Sequence, residues 1–324
     1  MSAATPGAAI GDRISLQAVV TDSFDRKRLD QVAASLWPEY SRSRLADWIR
    51  AGKLQVNGCA VKPNFRLSVG DRLALETVIE PHDSSPGPEA MALEVLHVDD
   101  ELMVINKPPG LVVHPGSGNL DGTLVNGLLF LEPGLASLPR AGLIHRLDKD
   151  TSGCLVIART SLSHLRLVEA LKRREIHRHY QAIVWGHMIA GGQVNAALGR
   201  HPVDRRRQVV RGDGRPAITH YRVKRHLAGA TLLDVKLETG RTHQIRVHMQ
   251  HIGFPLVGDL AYGRRGSPSG LDEQQRQAWR SFGRQALHAR QIELKNPVSG
   301  ELISVSAPLP DDMQQLIEVL DGPA

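Results

Sequence analysis

The chain has 324 residues, 41% of them hydrophobic and 23% charged, which suits one large or two ordinary globular domains and excludes a disordered or fibrous chain. Lys and Arg outnumber Asp and Glu by 40 to 34, a lean toward a polyanionic partner that does not by itself decide for nucleic acid. Cys59 and Cys154 are too few for a disulfide framework, no apolar run approaches the roughly eighteen residues of a membrane span, and MSAATPGAAIGDR lacks a signal-peptide core; a cytoplasmic protein without membrane contacts is expected.

In chain order, residues 1–22 read as a flexible leader. Leu29, Val32, Ala33 and Leu36 recur at helical spacing; Pro38 interrupts, and Ser41 can cap a second helix carrying Leu45, Trp48 and Ile49 that Gly52 ends. LQVNGCAV reads as two short strands around Asn57-Gly58, and Val69-Gly70-Asp71 turns the chain into RLALETVI. Residues 23–80 thus form a small α+β unit. PHDSSPGPEA, residues 81–90, has the composition of a linker, and residues 91–324 form the second unit.

Strands dominate from residue 91: LEVLHVDD, LMVINK, LVVH and CLVIA, then YQAIVWG, ITHYRVKRH and ATLLDVKLE. A helix is expected from Ser161, with Leu162, Leu165, Val168 and Leu171 on one side. A second is expected over Thr242–Ile252, and a third from Asp311 with Met313, Leu316, Ile317 and Leu320 buried. RQALHARQIEL and ELISVSAPL bracket the turn at Asn296–Gly300. Such runs of strands punctuated by helices give an α+β fold with a mostly antiparallel, mixed sheet.

LIHRLDKDTSGCLVIA places His145, Arg146, Asp148, Lys149 and Asp150 between two apolar runs. A carboxylate there either caps a turn or does chemistry, and a rigid mount with a nearby cation would suit the second role. Arg241 and Arg246, around the start of the helix in ETGRTHQIRVH, could supply the cation; Tyr180 counts only if it faces the same pocket. No Walker A, dinucleotide or kinase motif is present, and His243, His248 and His251 lack metal-site spacing, so no metal or nucleotide cofactor is expected. Basic runs KRREIHRH, RHPVDRRRQVVR and GRRG together favour RNA as partner.

HRLDKDTSG, VINKPPGLVVHPG, RHYQAIVWG and LETGRTHQIRVHMQHIGFPLVGDLAYG resemble the motifs of the RluA-type RNA pseudouridine synthases over residues 91–320. SRSRLADWIRAGKLQVNG, within residues 28–75, resembles an S4 RNA-binding module. The resemblance implies the pseudouridine synthase fold and isomerisation of uridine in RNA without a cofactor. It assigns Asp148 as the catalytic aspartate, Tyr180 as the residue stacking on the base, Arg246 as the partner of the carboxylate, and Arg146 as the side chain that fills the place of the flipped base. RNA contacts are expected from Arg146, His145, Lys107, Arg241 and His243, and from Arg42, Arg44 and Lys53 in the S4 module. Where many relatives carry a lysine two places before the tyrosine, Arg178 keeps the charge. GNLDGTLVNGLL, PRAGLIHRLDKD and RPAITHYRV are similar to a branch acting on the helix 69 stem-loop of 23S rRNA, which implies 23S rRNA or a large-subunit precursor as partner; a monomer is expected, although the sequence does not spell out the oligomeric state. Competing readings are other rRNA or tRNA uridines, a non-catalytic assembly factor, and a glycoside or nucleoside hydrolase with Asp150 as second acid.

Overall fold

The computed structural model describes residues 13–78 apart from 39 and 41, and residues 86–321 apart from 117, 118 and 120. The chain divides into two compact units, Met1–Ser85 and Pro86–Ala324, and each is described by itself. That division falls inside the expected linker, of which residues 81–85 lie outside the described residues, as do residues 1–12 of the expected leader and the expected cap Ser41.

The first unit contains β1 (Arg13–Val19), α1 (Leu29–Leu36), α2 (Arg42–Arg50), β2 (Leu54–Val56) and β3 (Arg72–Val78), with strands ordered β1-β3-β2. Leu29, Val32, Leu45, Ile49, Leu54, Leu73 and Leu75 are fully shielded and form its core. The leader expected to reach residue 22 is corrected here. In RISLQAV the apolar Ile14, Leu16 and Ala18 alternate with polar residues, so the segment lays one face on this core and pairs antiparallel along β3. The expected hairpin is also shorter than read. Asn57 and Gly58 make the turn with φ of 51° and 76°, yet its second arm is a single bridge from Val56 to Cys59. The Asn57 side chain binds the Arg72 amide and Asp71, both at 2.8 Å, and so fastens the turn to β3, with which β2 pairs.

The second unit runs β4 (Glu94–Val98), β5 (Leu102–Lys107), α3 (Leu124–Leu131), β6 (Ser152–Ala158), α4 (Ser161–Lys172), β7 (His177–Trp185), β8 (Gly192–Asn195), β9 (Leu198–Arg200), β10 (Gln208–Val210), β11 (Ile218–Leu227), β12 (Ala230–Leu237), α5 (Gln244–His251), α6 (Glu273–Ser281), β13 (Leu287–Lys295), β14 (Leu302–Ser306) and α7 (Asp311–Leu320). Its nine-stranded sheet has the order β4-β5-β6-β13-β7-β12-β11-β8, with β14 also on β13. Every pairing is antiparallel except that of β6 with β13. At this parallel seam a Cβ on Gly153 would stand 2.2 Å from the Ala289 carbonyl oxygen, so glycine is needed for the close approach. β6 is buried along its whole length.

Two expectations fail locally. LVVH is irregular, because the Val112 and Val113 carbonyls receive the Leu124 and Val125 amides and thereby seat α3. In α4, Leu162 and Leu165 are 48% and 61% exposed, whereas Ser163, Leu167, Ala170 and Leu171 face the core. A serine, its hydroxyl bonded to Glu101 and Thr160, begins the true inward stripe and disguises it. Among the described residues no helix is long and apolar enough to cross a membrane.

Candidate active site

Asp148 ends an irregular segment leading into β6, and its main-chain carbonyl accepts the Thr151 amide at 3.0 Å. Neighbouring side chains pin this turn. Lys107 Nζ donates to the carbonyls of Pro108, Leu111 and Lys149 at 2.6, 3.0 and 2.8 Å. Arg284 donates to the Asp150 carbonyl at 3.0 Å while gripping Asp312. The turn is thus tied to β5 on one side and to the approach to β13 on the other.

Above it lies the start of α5. Gln244 accepts from the Arg241 amide and Thr239 hydroxyl and donates to Ile218 and Thr219, which fixes the helix start against β11. His243 precedes the helix with φ 56°, a left-handed conformation uncommon for a non-glycine residue. One turn on, Arg246 holds two carboxylates. Its Nη1 donates to Asp148 Oδ2 at 3.1 Å, while Nε and Nη2 grip Asp259 at 2.6 and 2.9 Å. Asp259 is itself fixed by the amides of Ala261 and Tyr262. The two carboxylates raise the pKa of Arg246 despite the opposing effect of burial, so the cation is permanent.

A second chain reaches Asp148 from the other side. The Gln208 amide donates to Tyr262 Oη at 2.8 Å, and the same hydroxyl is hydrogen-bonded to His243 Nδ1, also at 2.8 Å. His243 Nε2 stands 3.9 Å from Asp148 Oδ1. Burial lowers the His243 pKa, with Asp148 opposing. The Tyr262 ring lies under the guanidinium groups of Arg207 and Arg246, at 5.1 and 5.0 Å.

Asp148, Tyr180 and Arg246 line one cavity of about 460 Å³, with Leu287, Arg146, Arg178 and the 239–245 loop. Tyr180 projects from β7 and is 6% exposed; burial raises its pKa, so the phenol stays protonated. A neighbouring trough of about 700 Å³ shares Arg146, Arg241, Thr242 and His243 with this cavity and adds Arg200, Arg205, Arg206, Arg211 and Arg215 from the β9–β10 hairpin and the strand approach beyond it. A carboxylate paired with an arginine on the wall of a cavity, next to an arginine-lined channel, is equipped to attack one unit of a polyanion.

A model of the RNA pseudouridylate synthase family matches residues 101–251, and an S4 domain model matches residues 27–73. A ribosomal large subunit pseudouridine synthase D from Xanthomonas campestris is 50% identical over 94% of this chain and 92% of its own. The chain belongs to the RNA pseudouridine synthase family. A synthase of the same name from Escherichia coli K12 is 46% identical, covering 96% of both chains. The solved human RNA pseudouridylate synthase domain containing 4 is 26% identical with a TM-score of 0.56, covering 70% of this chain and 92% of its own. The expected α+β pseudouridine synthase fold with an S4 module is therefore the one observed.

Within the synthase, two expected RNA contacts are corrected by their surroundings. Lys107 has no exposed surface and serves as an internal strut; burial pulls its pKa down to about 7 against the pull of Asp150 and Asp148. His145 turns inward, its Nε2 accepting the Val156 amide at 3.2 Å, and burial drives its pKa to about 3, so it carries no charge for phosphate. Arg146 and Arg241 stay exposed at the cavity mouth. In the S4 unit, Arg42 and Arg28 bind the buried Asp30, whose pKa they lower although burial opposes them. Arg44 lies over the Trp48 ring at 5.1 Å, and Lys53 is half-buried where α2 turns into β2. The sequence reading gave no role to Asp259 or Tyr262. Both stand in the quoted stretch FPLVGDLAYG, yet nothing in their spacing shows that they meet Arg246 and His243.

Proposed function

We propose that this synthase isomerises uridines of large-subunit ribosomal RNA, those of the helix 69 stem-loop in 23S rRNA, with Asp148 as nucleophile and no cofactor. The observation that carries the chemistry is the Asp148–Arg246 pair, 3.1 Å apart on the wall of a cavity that also contains Tyr180. The names of the relatives above support the ribosomal address.

The target uridine first leaves its stack, at a cost of a few kcal/mol. Stacking on Tyr180 offsets roughly 1–3 kcal/mol of that. Arg146, exposed at the mouth of both cavities, occupies the vacated position and holds phosphate, and the trough arginines hold the adjoining backbone. When the base closes the cavity to water, Arg246 supplies the Asp148 carboxylate with a charge-assisted hydrogen bond in place of the lost solvent. Asp148 then drives the detachment of uracil, which rotates in place until C5 faces C1′. The apolar wall formed by Ile144, Leu147, Ile245 and Leu287 holds the free base without fixing its orientation.

Asp148→Asn keeps the size of the side chain and removes the nucleophilic charge. Tritium release from C5-labelled 23S rRNA is expected to fall by about a thousandfold or more; a loss below tenfold would take Asp148 out of this role. Carbodiimide-dependent primer extension on rRNA from a deletion strain checks the address. Pseudouridines that persist in helix 69 and vanish elsewhere would move the address and leave the chemistry intact.

A further inference from the structure

A cation within the cavity has no counter-charge. Arg178 lies on β7, two residues before Tyr180, and is 8% exposed. Among the described residues its side chain has no hydrogen-bond or ion-pair partner, and its Nε is a buried donor without an acceptor. The guanidinium lies against the loop before α5, where a Cβ on Gly240 would stand 2.4 Å from Nη1; a glycine makes room for it.

Neither carboxylate lining the cavity is paired with it. Asp148 is held by Arg246, and Glu238 by Arg174 at 2.7 Å and His220 at 2.6 Å. The nearby groups that feel its charge are Tyr180 and the neutral His145. Nε is sealed without an acceptor while the rest of the fork lines the cavity, and a sheltered charge without a counter-charge is costly relative to a paired one, so the position favours an anion that arrives. Phosphates are met at the surface by the exposed Arg146, Arg174 and Arg241, whereas Arg178 is sunk beside the tyrosine. Its anion is therefore the base.

We propose that Arg178 is a catalytic residue that stabilises the uracil anion. This rests on the role given to Asp148 above. When the carboxylate attacks C1′, the C1′–N1 bond breaks with its electron pair on the base, and one negative charge passes from Asp148 to uracil, spread over N1, O2 and O4. The planar fork of Arg178 donates to a carbonyl oxygen of that anion. Attack by C5 on C1′ returns the electron pair to a new carbon–carbon bond and frees the carboxylate. C5 then loses its proton and N1 gains one, which completes the isomerisation without net change of atoms or charge.

The test uses the full chain, a 23S rRNA transcript, and separate measurement of kcat, KM and thermal midpoint. Arg178→Met is expected to lower kcat by about a hundredfold, the scale of losing one preorganised donor, with KM within threefold. Its thermal midpoint should be unchanged or raised, because an unpaired buried charge has been removed. Arg178→Lys should retain more turnover than the Met variant, and added methylguanidinium should restore part of the turnover of Arg178→Ala. Unchanged kcat overturns the inference. So does a midpoint lowered by several degrees without guanidinium rescue, which makes Arg178 structural, and so does a loss confined to KM with a shallower salt dependence, which makes the ligand a phosphate. An inactive Asp148→Asn beside a fully active Arg178→Met sinks this inference alone and leaves the proposed function standing.

Discussion

Arg246 is the residue on which the site turns, because it serves two carboxylates with different duties. In its proposed role Asp148 needs a cation that will release it to react, whereas Asp259, 4% exposed and bound to two backbone amides, keeps that cation in place. Asp259→Asn leaves a buried guanidinium with half its charge compensation. We expect a loss of roughly 3 kcal/mol in denaturant unfolding and a fall in kcat of about tenfold or more, since breaking a buried pair on one side is costly. Wild-type values for both would mean that Asp148 alone orients the arginine. Residues of one type also part company here. Lys107 and Arg146 are both basic and both near the reacting turn, yet one is sealed under three carbonyls and the other faces solvent. Charge was legible in the sequence and burial was not, which is why Lys107 and His145 were read as RNA contacts.

At the scale of elements, the β9–β10 hairpin does what the bare sequence only hinted. RHPVDRRRQVVR reads as a basic surface run; folded, its arginines line the trough that opens beside Asp148. Replacing Arg205 and Arg206 together by alanine is expected to raise KM and to reduce the slope of log KM against log salt by about 1.5, from roughly 0.7–0.9 per lost phosphate contact. An unchanged slope would show that the trough does not hold backbone. The long strands β7, β11, β12 and β13 were readable because their β-branched and apolar runs are bounded by turns. Short elements were not: β8, β9 and β10 span four, three and three residues, too few for a period to show. In α3 the run LVNGLLFL is apolar nearly all round, and in α6 the inward stripe of EQQRQAWRS is Gln275, Ala278 and Trp279, so short and so polar at one position that it does not stand out as an apolar stripe. Asp148, Tyr180 and Arg246 stood out physically only as open candidates, and the family motifs chose among the alternatives, since the three lie on separate elements far apart in the chain.

For the molecule as a whole, the separate cores of the two units mean that neither needs the other to bury its apolar face. A chain starting at Pro86 is expected to retain the thermal transition of the catalytic unit within a few degrees and to lose affinity for rRNA chiefly through KM, as removal of one of two binding modules should. Failure of that fragment to fold would show that the S4 unit contributes to the catalytic core. The catalytic unit itself is less divisible. Tyr262 receives the Gln208 amide from the hairpin, is hydrogen-bonded to the histidine that faces Asp148, and has the guanidinium groups of Arg207 and Arg246 against its ring. Anyone grafting a different hairpin to redirect this enzyme to another RNA would also be rewriting a support of the proposed nucleophile. A transplant that keeps every arginine but turns the residue 208 amide away would bind its new target and process it slowly. Specificity and rate are therefore not independent design variables in this scaffold, and the phenol of Tyr262 is where they are soldered together.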